Sequence, residues 1–122
     1  MALAAVQDLE KQAAQKAVED VAKTFSFNYE EVADTLGVDR RTVYRYRRLR
    51  SVPTRKVRMR FDRLREIIQL LEGIFETPEA RRVWLYGSVP LLNGRRPIDL
   101  MLRGDLEDVA SVLAGLQAGA HI

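Results

Sequence analysis

Between Arg40 and Arg65 the chain carries eleven arginines and one lysine, Lys56, against a single acid, Asp62, a local charge of +11 in a protein of 122 residues whose formal net charge is +3. A guanidinium is a flat fork of N–H donors that matches a pair of phosphate oxygens or the major-groove edge of guanine, whereas lysine would serve solubility equally well. The chemistry on offer is anion binding, and double-stranded DNA is the expected partner. The competing reading is a solvated helix face that is merely rich in arginine. The flanks have the opposite sign: residues 1 to 39 hold three lysines against eight acids, and residues 66 to 122 hold five arginines against eight acids.

Few other side chains offer chemistry. There is no cysteine, and the one histidine, His121, stands next to the last residue, so neither a thiolate metal site nor an internal histidine base is available. The acid pairs Glu30-Glu31 and Glu107-Asp108 fall where helix first turns are expected, and the dipole explains them there. No glycine-rich phosphate loop occurs. The expectation is a protein with no catalytic residues, no metal and no cofactor. Asp8 and Glu10 interrupt the start where a signal peptide needs a basic and then apolar run, and no stretch is long enough to span a bilayer. A cytoplasmic protein with no membrane partner is expected. At 47% hydrophobic, the chain can bury a modest core as one domain or as two small helical modules.

The elements that must position the arginines read as helices. Leu3, Val6, Leu9, Ala13, Ala17, Val21 and Phe25 recur at spacings of three and four and predict one long Ala-rich amphipathic helix over residues 3 to 25. Its weak stripe suits close packing against another helix or against a second copy of the chain. Asn28 is a plausible N-cap for a short helix ending at Leu36 and Gly37, with Glu30 and Glu31 in its first turn. From Tyr29 to Tyr46 the pattern resembles a helix-turn-helix. Val32 and Leu36 are its apolar side, Ala33 is small at the crossing, and Gly37 supplies the turn's backbone freedom. Asp39 caps the second helix, and Val43 and Tyr46 face inward.

Such a recognition helix presents its early exposed side chains to base edges. That assigns Arg40, Arg41, Tyr44 and Arg45 to bases, with Thr42 in the same DNA-binding set, and Arg47, Arg48 and Arg50 to phosphates. A plain helical hairpin with an arginine cluster is the bland alternative.

After Ser51-Val52-Pro53, where the proline is expected to open a new helix, residues 54 to 75 repeat Val57, Phe61, Leu64, Ile68, Leu71 and Phe75 in a heptad-like seam. Intramolecular packing and dimerisation both explain it. Thr77-Pro78-Glu79 reads as a cap, an N1 proline and a first-turn acid for a helix stopping at Gly87. Asn93-Gly94 is a turn, Pro97 begins a helix ended by Gly104, and Asp105 caps a last helix that Gly119 terminates. The fold class is all-α: an N-terminal helix and helix-turn-helix module over residues 1 to 53, joined by a long helix to a small C-terminal helical module, the two together forming residues 54 to 122. Trp84 is expected in the core of that module.

The run Ala80, Trp84-Leu85, Pro90-Leu91-Leu92-Asn93-Gly94-Arg95-Arg96-Pro97-Ile98-Asp99-Leu100, then Gly104, Val109, Leu113 and Gly119, resembles the C-terminal toxin-binding domain of MbcA/ParS/Xre-type antitoxins. The match covers about residues 64 to 122, and a helix-turn-helix ahead of it fits that family's two-part layout. Ser88 and Val89 stand where the family has proline and asparagine, and Asn93 replaces the first glycine of its pair. The resemblance implies a DNA-binding antitoxin that represses its own operon and neutralises a RES-domain toxin, an enzyme that degrades NAD. It also implies that the C-terminal end, Gly119, Ala120, His121 and Ile122, reaches the toxin's cleft and that Arg95 and Arg96 join the partner-binding surface. The residues alone leave Arg95 and Arg96 solvated, Asp99 in a local salt bridge or cap, and His121 without a role. A homodimer or higher homo-oligomer is expected. The alternative function is a free-standing dimeric DNA-binding regulator or architectural protein whose C-terminal module serves assembly.

Overall fold

The computed structural model of the chain describes residues 2–119. Among them, seven α-helices and one 3-10 turn follow in order: α1 Ala2–Phe25, α2 Tyr29–Leu36, α3 Arg40–Arg47, α4 Arg55–Ile74, α5 Pro78–Tyr86, the 3-10 turn Pro90–Leu92, α6 Pro97–Leu102 and α7 Leu106–Gln117. The all-α class is as expected. The chain divides into two compact units, Met1–Asp62 and Arg63–Ile122, and the division falls inside α4.

In the N-terminal unit α1 packs against α2 and α3, and α2 packs against α3. α1 buries Ala14, Val18, Val21 and Phe25, one face of its second half. Its first half does not join that core: Leu3 and Leu9 are 69% and 65% exposed and Val6 is exposed as well. The apolar period of the sequence ran on through residues that have nothing of the same unit to pack against. α2 contributes Val32, Ala33 and Leu36, α3 contributes Val43 and Tyr46, and the start of α4 contributes Val57 and Phe61. Thr35, fully buried, satisfies its hydroxyl by donating to the Glu31 carbonyl at 2.9 Å.

In the C-terminal unit α6 packs against α5 and α7, and α7 also meets the 3-10 turn. The seam of α4 continues through Leu64, Ile67 and Leu71, all fully buried, with Leu70 beside them. Ile67 takes the central place expected of Ile68, which is only half-buried, because the turn of a straight helix drifts from a strict heptad. Trp84 is half-buried, its ring 6.1 Å from that of Phe75.

Local chemistry sets the helix boundaries. Asn28 forms a full capping box: its side chain accepts from Glu31 N–H at 2.8 Å while Glu31 accepts from Asn28 N–H at 3.0 Å. Thr77 caps α5 ahead of Pro78 at 3.1 Å. Two expected starts differ. Pro53 does not begin α4; it precedes Thr54, whose hydroxyl accepts from Val57 N–H, so the proline serves as the break and the threonine as the cap. Asp105 stands at the N-cap of α7 but makes no capping hydrogen bond, its carboxylate lying 3.8 Å from Arg103.

Four helix ends close with the same backbone bond, from the residue after a left-handed position to the carbonyl five residues back. After α2, Val38 N–H reaches Ala33 O at 3.0 Å with Gly37 at φ 71°, and after α6, Asp105 N–H reaches Leu100 O at 2.9 Å with Gly104 at φ 79°. α1 and α3 close through Phe27 N–H to Ala22 O and Arg50 N–H to Arg45 O, but the left-handed residues there are Ser26, φ 56°, and Leu49, φ 60°. An L side chain in that region costs roughly 1–2 kcal/mol. Ser26→Gly should therefore raise unfolding stability by roughly 0.5–1 kcal/mol. Gly37→Ala should lower it by about 1 kcal/mol or more. Urea denaturation followed by circular dichroism checks both signs.

Candidate nucleic-acid interface and partner surface

α3 is short and half arginine, so its position depends on what holds its two ends and its inner face. At the N-terminus the Asp39 carboxylate accepts from Thr42 N–H at 2.8 Å and from the Thr42 hydroxyl at 2.6 Å. These two Thr42 bonds, the hydroxyl's first, hold the Asp39 carboxyl below the usual carboxylate range, and the charge of Arg41 lowers it further. Val43 and Tyr46 turn inward, the Tyr46 ring meeting Phe61 edge-on at 5.9 Å, and burial pushes the Tyr46 phenol up. With that face committed, Arg40, Arg41, Tyr44, Arg45, Arg47 and Arg48 are exposed, and Arg50 follows them exposed on the reversing chain.

The residues expected at DNA are thus brought together, with one exception in kind. Thr42 is half-buried and its hydroxyl is spent on Asp39, which makes it a capping partner in this structure. Arg45 Nε donates to the Ser51 hydroxyl at 2.9 Å. Arg47 lies over the Tyr29 ring, its guanidinium carbon 5.2 Å from the centroid, and its carbonyl accepts from Gln15 Nε2 at 2.9 Å. The Tyr29 ring meets Tyr44 edge-on at 5.3 Å. Tyr29, Gln15 and Ser51 were not singled out from sequence; each acts through a tertiary neighbour, and no local pattern marks it.

The second half of the basic block is used differently. Arg58 lies 3.7 Å from Glu10, Arg60 is half-buried over the turn at Gly37, and Arg63 pairs with both Glu66 and Glu107. The Glu66 and Glu107 hydrogen bonds raise the Arg63 pKa. Arg55, Lys56 and Arg65 stay exposed on α4.

On the C-terminal unit, Arg96 is held by its own helix: Nε and Nη2 donate to the two Asp99 oxygens, both at 2.8 Å, and the guanidinium lies 5.7 Å from the Tyr86 ring centroid. Asp99 therefore forms a local bidentate pair, and the Arg96 bonds lower its carboxyl pKa. Arg95 is exposed. The loop before it is closed by Ser88, whose hydroxyl donates to Gly94 O at 2.6 Å, and by Val89 N–H to Arg95 O at 3.1 Å and Gly94 N–H to Val89 O at 3.0 Å. Asn93 takes a left-handed φ of 59°, which asparagine tolerates better than other side chains. A Cβ on Gly87 would stand 2.9 Å from Val83 O, so the end of α5 admits only glycine. Glu79, Arg82, Val83 and Tyr86 share one outer face of α5, with Val83 75% exposed, and Leu91 on the 3-10 turn is 73% exposed. Gly119 follows α7 at φ 86°; Ala120, His121 and Ile122 lie outside the described residues. Among the described residues no cluster of three or more His, Cys, Asp or Glu could hold a metal ion, and no helix is long and apolar enough to cross a membrane.

A capped arginine-faced α3 behind α2 is a helix-turn-helix, and the chain's two halves match two parts of one family. Residues 4–53 match the antitoxin Xre-like helix-turn-helix domain, and residues 70–119 match the antitoxin Xre/MbcA/ParS C-terminal toxin-binding domain. The protein belongs to this antitoxin family. It is 32% identical over 103 residues, 84% of this chain and 87% of the relative, to a probable mycobacterial cidal antitoxin of Mycobacterium tuberculosis. It is 26% identical over 105 residues, 86% of this chain and 92% of the relative, to the mycobacterial cidal antitoxin MbcA of Mycobacterium bovis. The fold is also that of a chain in the crystal structure of the M. tuberculosis MbcT-MbcA toxin-antitoxin complex, with a TM-score of 0.63 at 24% identity, covering 88% of this chain and 96% of that one.

The Asp39 cap carries a pH signature. Its folded pKa is depressed, so its stabilisation is complete above the ordinary aspartate value, about 3.9, and is lost as pH falls from there through the lower folded value. Asp39→Ala should be less stable than wild type at pH 7, with the gap closing in acid, and Asp39→Asn should keep a pH-independent part of the cap. Urea midpoints measured between pH 7 and pH 3 test this.

Proposed function

We propose that this chain is the antitoxin of a toxin–antitoxin pair, working in the cytoplasm without catalytic activity: residues 1 to 53 grip operator DNA to repress the chain's own operon, and residues 54 to 122 neutralise a RES-domain toxin that degrades NAD. The observation that carries the DNA half is the outer face of α3, where Arg40, Arg41, Tyr44, Arg45, Arg47 and Arg48 stand exposed above a buried Val43 and Tyr46. Arg40, Arg41, Tyr44 and Arg45 read base edges, and Arg47, Arg48 and Arg50 set register on phosphates. Support for the toxin half comes from the family match over residues 70–119 and the crystal complex in which a relative of the same fold meets its toxin. Its surface is the α5 face of Val83 and Tyr86 with Arg95 and Arg96, completed by residues 119 to 122. An aromatic with a pre-ordered arginine beside it is the composition of an interface hot spot.

Along α4, Val57, Phe61, Leu64, Ile67 and Leu71 are buried within the chain, whereas Leu3, Val6 and Leu9 on α1 are exposed. We propose a homodimer joined through α1, whose two α3 helices would meet half-sites roughly one DNA turn, about 34 Å, apart. Replacing Leu3 and Leu9 by Glu should yield a monomer by light scattering, with helicity unchanged and operator affinity reduced.

Arg41→Ala and Arg45→Ala should each lose about 1–3 kcal/mol of discrimination against the wrong base. Arg48→Ala and Arg50→Ala should weaken all duplexes alike and lower the salt dependence by about one unit of slope each. Deleting residues 119 to 122 should leave DNA binding intact and abolish neutralisation, read as NAD levels in cells co-expressing the toxin. Loss of DNA binding in that deletion would overturn the division of labour, and toxicity untouched by the full chain would leave the free-standing regulator.

A further inference from the structure

Among the described residues two arginines lie against tyrosine rings, and their surroundings differ. Arg96 lies over Tyr86, and the edge of its guanidinium is filled by Asp99, both carboxylate oxygens at 2.8 Å. Arg47 lies over Tyr29 at 5.2 Å, but the ion pairs among the described residues of the N-terminal unit are Lys16–Asp20 and Arg58–Glu10, neither of which touches α3. Stacking uses the face of a guanidinium and leaves its in-plane N–H donors available, in the fork geometry that two phosphate oxygens match. The backbone of Arg47 is fixed as well, by Gln15 Nε2 donating to its carbonyl at 2.9 Å. The same Tyr29 ring carries Tyr44 edge-on at 5.3 Å, and residues 44 and 47, three apart, are neighbours on one face of α3.

We infer that Tyr29, the first residue of α2, is a positioning residue of the DNA interface: its ring holds the Arg47 guanidinium in place so that its uncommitted N–H donors form a preset fork for a backbone phosphate, the place that Asp99 fills on Arg96. The inference rests on the proposed DNA binding by α3 and adds to it a residue on the preceding helix. Ordering a long arginine side chain at the moment of binding costs affinity, and a ring that orders it beforehand removes that cost. The contact reads no base, so its loss weakens every duplex alike.

The test uses the full chain and two duplexes, one enriched from a random-sequence pool by the protein itself and one of arbitrary sequence, titrated across a range of salt. Tyr29→Leu should bind both duplexes roughly fivefold to tenfold more weakly with the salt slope retained, because the Arg47 charge stays, and Tyr29→Phe, which keeps the ring, should bind as wild type. In an Arg47→Ala background Tyr29→Leu should add little. Arg47→Lys, at an exposed position that leaves the fold alone, keeps the charge but loses the fork, so it should weaken binding severalfold with the salt slope retained. Wild-type binding by Tyr29→Leu or Arg47→Lys overturns the clamp, as does equal loss in Tyr29→Phe or a full second loss on top of Arg47→Ala. If the wild-type protein binds neither duplex, the DNA reading itself falls and takes the clamp with it; if Arg41→Ala impairs binding while Tyr29→Leu does not, the clamp alone falls.

Discussion

Two side chains keep the arginine-rich helix in being. α3 is eight residues long, four of them arginine, too short to be stable as an isolated helix and opposed by its own charge. It buries Val43 and Tyr46 and nothing else, against a core to which α1 supplies Val18 and Val21 and α4 supplies Phe61. Those two positions decide which face is inside, and so which six long side chains stand in solvent. The capping of Asp39 and the reversal at Leu49 then fix where the helix begins and ends. Everything attributed to the outer face depends on a small apolar contact beneath it.

The positive charge is sorted by what each arginine can reach. Along α4, Arg58, Arg60 and Arg63 are taken up by Glu10, the Gly37 turn, and Glu66 with Glu107. Along α3 the neighbours are a hydroxyl and an aromatic ring, which orient a guanidinium without neutralising it. A block that is uniform in composition is thus divided in surroundings: part of α4 meets carboxylates in exposed pairs worth little individually, and along α3 the ion pairs of the described residues do not reach.

Much of the helical framework was legible in the sequence because caps and turns are local chemistry. Asn28 with Glu31, Gly37, Asp39 and Thr77-Pro78 are spelled out within four residues of where they act. The inward places of Val43 and Tyr46 follow from helical period alone, and so does the outward set around them. What stayed hidden is what needs a second element. The left-handed Ser26 and Leu49 carry no glycine to announce them, and the exposure of Leu3 and Leu9 reflects where the rest of the unit ends. The rings of Tyr29 and Tyr86 acquire roles only once α3 and α6 bring an arginine over each. Asp99 could be read as a local partner, but that it would grip Arg96 with both oxygens is a matter of rotamer and distance.

The loop from Ser88 to Arg95 holds its shape through a serine hydroxyl, five backbone bonds and two left-handed residues, none of which involves the side chain of Leu91 or Arg95. The outline of the loop and the lettering of its tip are therefore separable. Substitutions at the tip can change the surface it shows without disturbing the helices on either side. Chains of this architecture could thus differ in what the tip shows to a neighbour while sharing one backbone course.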